Sequence, residues 1–209
     1  MSIAGILSQA QATDINLATS ISQWLFNNVV TPYNSAAISV GINQGMAMQR
    51  DGTWKSDNLG LGIVAGAPDD QSIYERVPSI AYSLDYKVPK SPHSLGMGDG
   101  AFWEYRSVSI CCLPAVSASA DAADQSIQTS RQSQWLLKTA ISNAITRSNI
   151  LPIVDHSQAK VGGNYPQIGY AEILGQKIHS MEKIAQMLDA NRLRFDAFFE
   201  IRWAVTTTN

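Results

Sequence analysis

The sequence has little charge. Asp, Glu, Lys and Arg make up only 15% of its 209 residues, whereas an average soluble domain has roughly 25%. The 15 basic residues are balanced by 17 acidic ones, so the chain lacks the basic excess with which duplex-binding proteins neutralise phosphates. We therefore expect no dedicated nucleic-acid binding. A surface rich in uncharged polar residues is typical of a protein that works in contact with copies of itself and with partners.

Long apolar runs and paired cysteines are also lacking. The longest apolar stretches, such as residues 110–113, are too short to span a bilayer. The first residues lack the basic leader and the long apolar core of a secretion signal. Cys111 and Cys112 are adjacent in a strand-like segment, so their side chains point to opposite faces and cannot easily pair. We expect two buried thiols in an intracellular protein without a membrane segment.

Hydrophobic periodicity predicts two main helices. Apolar residues recur at helical spacing over residues 14–28, and Pro32 is expected to prevent the helix from continuing. The second helix is predicted over residues 121–148, with Trp135 on its buried side. One or two further helical turns are predicted over residues 181–188.

Alternation of apolar and polar residues predicts the strands. The predicted strands lie at residues 38–48, 53–54, 59–63, 80–88, 103–112, 153–154, 168–172 and 193–205. The last of these is long enough to be central to the sheet. Connections between strands are mostly short, which favours antiparallel pairing. The sequence thus predicts an α+β domain, with a mostly antiparallel sheet of six to seven strands and two main helices packed on one face.

The chain shows neither an internal repeat nor a convincing linker, so residues 1–209 are interpreted as a single domain. Residues 89–100 hold two prolines and three glycines, which is typical of a long hairpin loop. We expect this loop to bind a partner, since its prolines stiffen one half and its apolar tip suits adaptable contacts. The candidate interface residues are Pro89, Pro92, Leu95, Met97 and Asp99.

Motifs that would support catalysis are weak. The glycine pattern at residues 60–66 has the spacing G-x-G-x-x-x-G, and Pro68 follows where a dinucleotide site needs a helix N-terminus. The consecutive residues Asp155, His156 and Ser157 diverge too strongly to form a catalytic relay. No pair of His or Cys has the spacing of metal ligands in the sequence. We expect a protein that is not an enzyme and that needs neither metal nor cofactor.

The order of elements resembles that of a known group of viral proteins. An N-terminal helix precedes a strand with the pattern P-x-I-x-Y, at Pro78, Ile80 and Tyr82. A strand with the pattern R-x-V-x-I follows, at Arg106, Val108 and Ile110, and leads to the long helix. The chain closes on the alternating strand at residues 194–205. This order resembles the tail terminators and related head–tail joining (neck) proteins of tailed bacteriophages. Compared with many of these proteins, residues 44–76 and 155–190 would be insertions.

The resemblance implies a structural role in the virion. Such proteins form a ring, usually hexameric, that caps the tail tube and docks to the neck or connector proteins. DNA passes through the lumen without sequence-specific binding, no membrane is involved, and assembly takes place in the host cytoplasm. Two alternatives stay open at this point. One is another phage component, such as a neck, baseplate or capsid accessory protein, and the other is a small metal-independent enzyme.

Overall fold

The fold was analysed in a computed structural model, which describes residues 6–8, 14–40, 42, 63–65, 79–86, 101–113, 123–184 and 193–206. Its helical elements are α1 (Asp14–Leu25), a π-helical segment (Phe26–Val30), α2 (Thr31–Ser39) and α3 (Ala123–Arg147). Its strands are β1 (Ile6–Ser8), β2 (Ile63–Ala65), β3 (Ser79–Tyr86), β4 (Ala101–Leu113), β5 (Ile150–Val154), β6 (Gln167–Ile184) and β7 (Leu193–Thr206). Among the described helices, none is long and apolar enough to cross a membrane.

Five antiparallel strands form the sheet, in the order β3-β4-β7-β6-β5. The terminal strand β7 lies in the middle, between β4 and β6, as its long alternation predicts. The three-residue strands β1 and β2 pair in parallel with β7 and β3. The α+β class and the antiparallel pairing are therefore confirmed, together with the two main helices.

One face of the sheet and the helices enclose a single core. Ile110, Ala197 and Phe199 lie on that face and are buried, and they belong to the same cluster as Leu17 of α1 and Leu137 of α3. Both main helices therefore pack on one face of the sheet, as predicted. The indole of Trp24 contacts Phe199, with ring centroids 5.9 Å apart. Tyr82 joins β3 to α1, since its hydroxyl donates to the carbonyl oxygen of Ala18 at 2.6 Å.

The prediction that Pro32 ends the first helix is wrong. The chain stays helical from α1 to Ser39, and the π-helical segment ends at Val30, two residues before the proline. Proline has no N–H and its ring crowds the carbonyl four residues earlier. A wider turn relieves this, because the N–H of Thr31 donates to Phe26 five residues earlier, and the Thr31 hydroxyl donates to the same carbonyl.

The predicted strand beginning at Ile38 is also contradicted by the structure. Ile38 is the penultimate residue of α2 and is 75% exposed, and Val40 is half exposed. The alternation of apolar residues there does not reflect a half-buried strand. Ile42 is buried and its N–H donates to Ala37, so it caps the end of the helix. The continuation of this predicted strand, at residues 43–48, lies outside the described residues.

Two predictions in the second half of the chain need correction. The strand predicted at residues 168–172 extends to Ile184 in β6, so the helical turns predicted from Met181 are wrong over residues 181–184. β6 lies beside β7 within the sheet, although it falls inside the segment predicted as an insertion. Trp135, expected on the buried side of α3, is 59% exposed, and Ser133 and Gln134 are buried instead.

Candidate functional site

The predicted interface loop at residues 89–100 lies outside the described residues. The strands on either side of it are described: β3 ends at Tyr86, β4 begins at Ala101, and Tyr86 is paired with Arg106. The two strands therefore pair as an antiparallel hairpin that flanks the loop. The assignment of Pro89, Pro92, Leu95, Met97 and Asp99 to a partner interface stays a prediction.

Asp155, His156 and Ser157 form a turn. The hydroxyl and the N–H of Ser157 both donate to Oδ1 of Asp155, at 2.6 and 2.9 Å, and these bonds lower the pKa of the carboxyl below its usual value. The imidazole of His156 packs edge-on against Tyr165, with ring centroids 4.9 Å apart. The serine hydroxyl is thus directed to the carboxylate and not to the histidine. In the described part of the chain, no group of three or more His, Cys, Asp or Glu could hold a metal ion.

The face of the sheet opposite the helices carries a polar and aromatic cluster, which we call the open face. Arg202 lies at its centre and bonds Glu172 of the neighbouring strand, with Nε and Nη2 2.8 and 2.6 Å from Oε2. The guanidinium carbon lies 4.6 Å from the ring centroid of Trp103. Burial lowers the pKa of Arg202, but bonding to Glu172 and Tyr105 more than offsets that, so the pKa is raised. Phe198 lies on this face and is exposed, whereas Ala81, Cys111 and Ala204 on the same face are buried.

A polar cleft lies beside the free side of β5, between α1, the π-helical segment and the turn at residues 161–164. Its volume is about 380 Å³, which is within the usual range for ligand sites. The described residues that line it include no charged side chain. Tyr165 contributes an aromatic ring, whose centroid lies 4.9 Å from Nζ of Lys160, whereas the ring of Trp24 is buried against Phe199. Five of the lining residues carry amide groups: Gln23, Asn27, Asn28, Asn164 and Gln167.

Local structure explains how the amides reach this cleft. The π-helical segment carries Asn27 and Asn28, and the side chain of Asn28 donates to the carbonyl of Trp24 at 2.9 Å. On the opposite wall, Gly162 and Gly163 have positive φ angles of 60° and 83°, which favour glycine and form a tight turn. That turn brings Asn164 towards the helix. Its Oδ1 accepts a hydrogen bond from Nε2 of Gln23 at 3.1 Å across the cleft.

The backbone edge of β5 is protected where it meets α1. The N–H of Val154 donates to Ser20 Oγ at 2.9 Å, and the N–H of His156 donates to Asn16 Oδ1 at 2.9 Å. Pro152 occupies the middle of this edge strand and has no N–H to offer. Ser20 and Asn16 are buried on α1, so the helix takes up donors that an edge strand normally exposes.

Sequence reasoning missed this cleft. Its residues come from segments about 140 positions apart, and Gln23 and Asn164 have no recognisable spacing. The adjacent pair Asn27-Asn28 was a usable signal, because two consecutive asparagines are unfavourable inside a helix unless their side chains have a role there. Neither a protein-family model nor a curated protein matches this chain.

Proposed function

We propose that the protein is a non-enzymatic virion component that forms a closed ring at the head–tail junction of a tailed bacteriophage. In this role it caps the tail tube and docks to the neck, as a tail terminator does. Its ring encloses the path of the DNA without sequence-specific binding. In this proposal the sheet has six to seven strands, with β1 and β2 completing the five antiparallel ones. Strands β3 and β4, which flank the loop, would present residues 89–100 to a partner above or below the ring.

The observation that carries this proposal is the open face of the sheet. The described helices all pack against the other face, while Trp103, Tyr105 and Phe198 occupy this one. Partly exposed aromatic residues are typical of protein interfaces. The ion pair of Arg202 and Glu172 adds a fixed polar group to the open face. The low charge of the whole chain and the order of its elements also favour assembly with copies of itself.

A ring requires a heterologous contact, in which two different surfaces of each copy meet and the rotation closes. We assign the open face to one side of that contact. Phe198 is the residue to change, because it is exposed and a carboxylate at its position would be desolvated in an interface. Val161 is a matched control, because it is an exposed apolar residue in the turn at residues 161–164 and not on a strand of the open face.

The test is native mass spectrometry of the purified protein, with two-dimensional class averages of the same sample. Wild type and Val161→Glu should form one closed ring of fixed stoichiometry, whereas Phe198→Glu should shift the population to smaller species. A wild type that stays monomeric at high concentration and forms no ring within assembled particles contradicts the proposal. A ring located elsewhere in the particle assigns the chain to a neck, baseplate or capsid accessory role instead.

A further inference from the structure

We propose that the open face of one copy docks on the outer side of α3 of the next copy. This inference rests on the proposed ring and names the partner of its open face. The two surfaces lie on opposite sides of the molecule, because the buried side of α3 packs against the other face of the sheet. They cannot meet within one chain. Between copies they form a contact of two different surfaces, which is the heterologous contact that a ring requires.

The outer side of α3 carries an exposed aromatic residue between two cations. Trp135 is 59% exposed, and Arg131 and Lys138 lie four residues before it and three residues after it, on the same side of the helix. At about 1.5 Å per residue, the two cations are about 10 Å apart along the helix axis. The sequence has no acidic residue from 125 to 154. Residues of α3 around Trp135 therefore do not balance this positive charge.

The open face has the same pattern with the opposite sign. Phe198 lies on the central strand β7, and Asp196 and Glu200 lie two residues before and after it on the same face. At about 3.3 Å per residue, the two acidic residues are about 13 Å apart along the strand. An exposed aromatic residue between two acids thus faces away from the helices on one side of the molecule. An exposed aromatic residue between two bases lies on the other side.

Acidic residues outnumber basic ones around Phe198. Asp85 of β3 lies in the same row of the sheet as Glu200 and adds a third carboxylate. In the described pairing of the three rows that contain these acids and Phe198, Lys177 is the one cation, counting His179 as neutral. Two open faces brought together, or two α3 surfaces, would place like charges against each other, which opposes association. The charges therefore favour a head-to-tail contact over a two-fold symmetric one.

The two aromatic residues supply the apolar part of the contact. Docking would remove the rings of Trp135 and Phe198 from water, and aromatic residues at the centre of an interface contribute most of its binding free energy. The flanking charges determine which surfaces meet, because electrostatic complementarity contributes more to specificity than to affinity.

The test uses two variants that each disrupt one side of the contact. Trp135→Glu places a carboxylate in the α3 surface, and Phe198→Glu places one in the open face. Each should raise the Kd of the contact at least about tenfold. By native mass spectrometry and sedimentation velocity, each variant alone should be monomeric, whereas wild type and Ile15→Glu should form the ring. Ile15 is the matched control, because it is an exposed apolar residue on a different helix, α1.

A mixture of the two variants distinguishes this inference from the proposed ring. The intact α3 of Phe198→Glu can dock on the intact open face of Trp135→Glu. At about 100 μM of each, a contact with a Kd of about 100 μM or tighter gives a 1:1 heterodimer that grows no further.

Three outcomes contradict the inference. A wild type that stays monomeric contradicts the ring and this contact together. A ring that survives either substitution overturns the contact and leaves the ring standing. The same conclusion follows if both variants are monomeric and their mixture gives no heterodimer. Circular dichroism of each variant verifies that its fold is intact.

Discussion

Two buried tyrosines, Tyr33 and Tyr82, link the stability of the fold to alkaline pH. Burial raises the pKa of each phenol from 10.0 to about 12, and hydrogen bonds from Ser133 and Ser22 offset only part of that shift. The hydroxyl of Tyr82 gives its proton to Ala18, so Ser22 is the donor to Tyr82 at 2.6 Å. Both phenols thus fold in the neutral form and resist ionisation.

The sign of the effect follows from which state loses its proton first. Above pH 10 the unfolded chain ionises these tyrosines while the folded chain keeps them neutral, so ionisation favours unfolding. The stabilisation is fully present below pH 10 and is lost as the pH rises through about 12. Two pKa units correspond to about 3 kcal/mol for each tyrosine. The sum of about 6 kcal/mol is comparable to the whole stability of a typical domain.

Urea unfolding followed by circular dichroism, from pH about 8 to about 12, measures this loss. Tyr82→Phe should be less stable than wild type at pH 8 by about 1 kcal/mol, because it loses a buried hydrogen bond. Its stability should fall about half as steeply with pH, so that the two curves converge or cross before pH 12. Tyr170→Phe is the control, since Tyr170 is exposed and should leave the slope unchanged. An unchanged pH slope in Tyr82→Phe would refute the burial of this phenol against α1.

Three further substitutions test other parts of the fold through urea or thermal unfolding. Phe199→Ala removes a buried ring that contacts Trp24 and should lower the free energy of unfolding by about 3–5 kcal/mol. A decrease below about 1 kcal/mol contradicts the central position of β7. Gly175→Ala should lower the free energy of unfolding by about 1 kcal/mol, because Gly175 has a φ of 52° at a β-bulge. The cost comes from the backbone alone, since an added Cβ meets no atom within 4 Å. An unchanged midpoint of urea unfolding contradicts that conformation. Glu172→Gln should lower the free energy of unfolding by at most about 1 kcal/mol, and by less at high salt, because the pair with Arg202 is partly exposed. A decrease that does not depend on salt contradicts an ionic contribution.

The parts of the fold that the sequence predicted are those in which one physical pattern acts alone. In β7, apolar residues alternate over a long segment, and the structure buries Ala197, Phe199, Ile201 and Trp203 on one face. The helix predicted at residues 121–148 from its helical periodicity is present as α3. The prediction that Trp135 is buried is wrong, because its position on α3 faces outward while Ser133 and Gln134 are buried.

Predictions failed where local rules and tertiary packing conflict. Residues 38–42 alternate as a strand does, yet α2 extends to Ser39 because Tyr33 and Ala37 are buried in the core and keep the chain helical. The residues of β6 after Ile178 are rich in helix-forming types, but pairing with β7 keeps them extended as far as Ile184. The cleft as a whole could not be predicted, because it exists only once α1 lies against the β5 edge, and only the pair Asn27-Asn28 gave a local signal.

Pro32 connects the failed helix prediction to the cleft. A proline inside a helix removes one backbone hydrogen bond, and the chain responds with the π-helical segment that precedes α2. The wider turn changes the rotation of the helix by a fraction of a turn, so residues before and after it do not continue the same face. Asn27 and Asn28 lie in this turn and line the cleft. If proline is treated only as a helix terminator, both the continuation of the helix and the cleft beside its π-helical segment are missed.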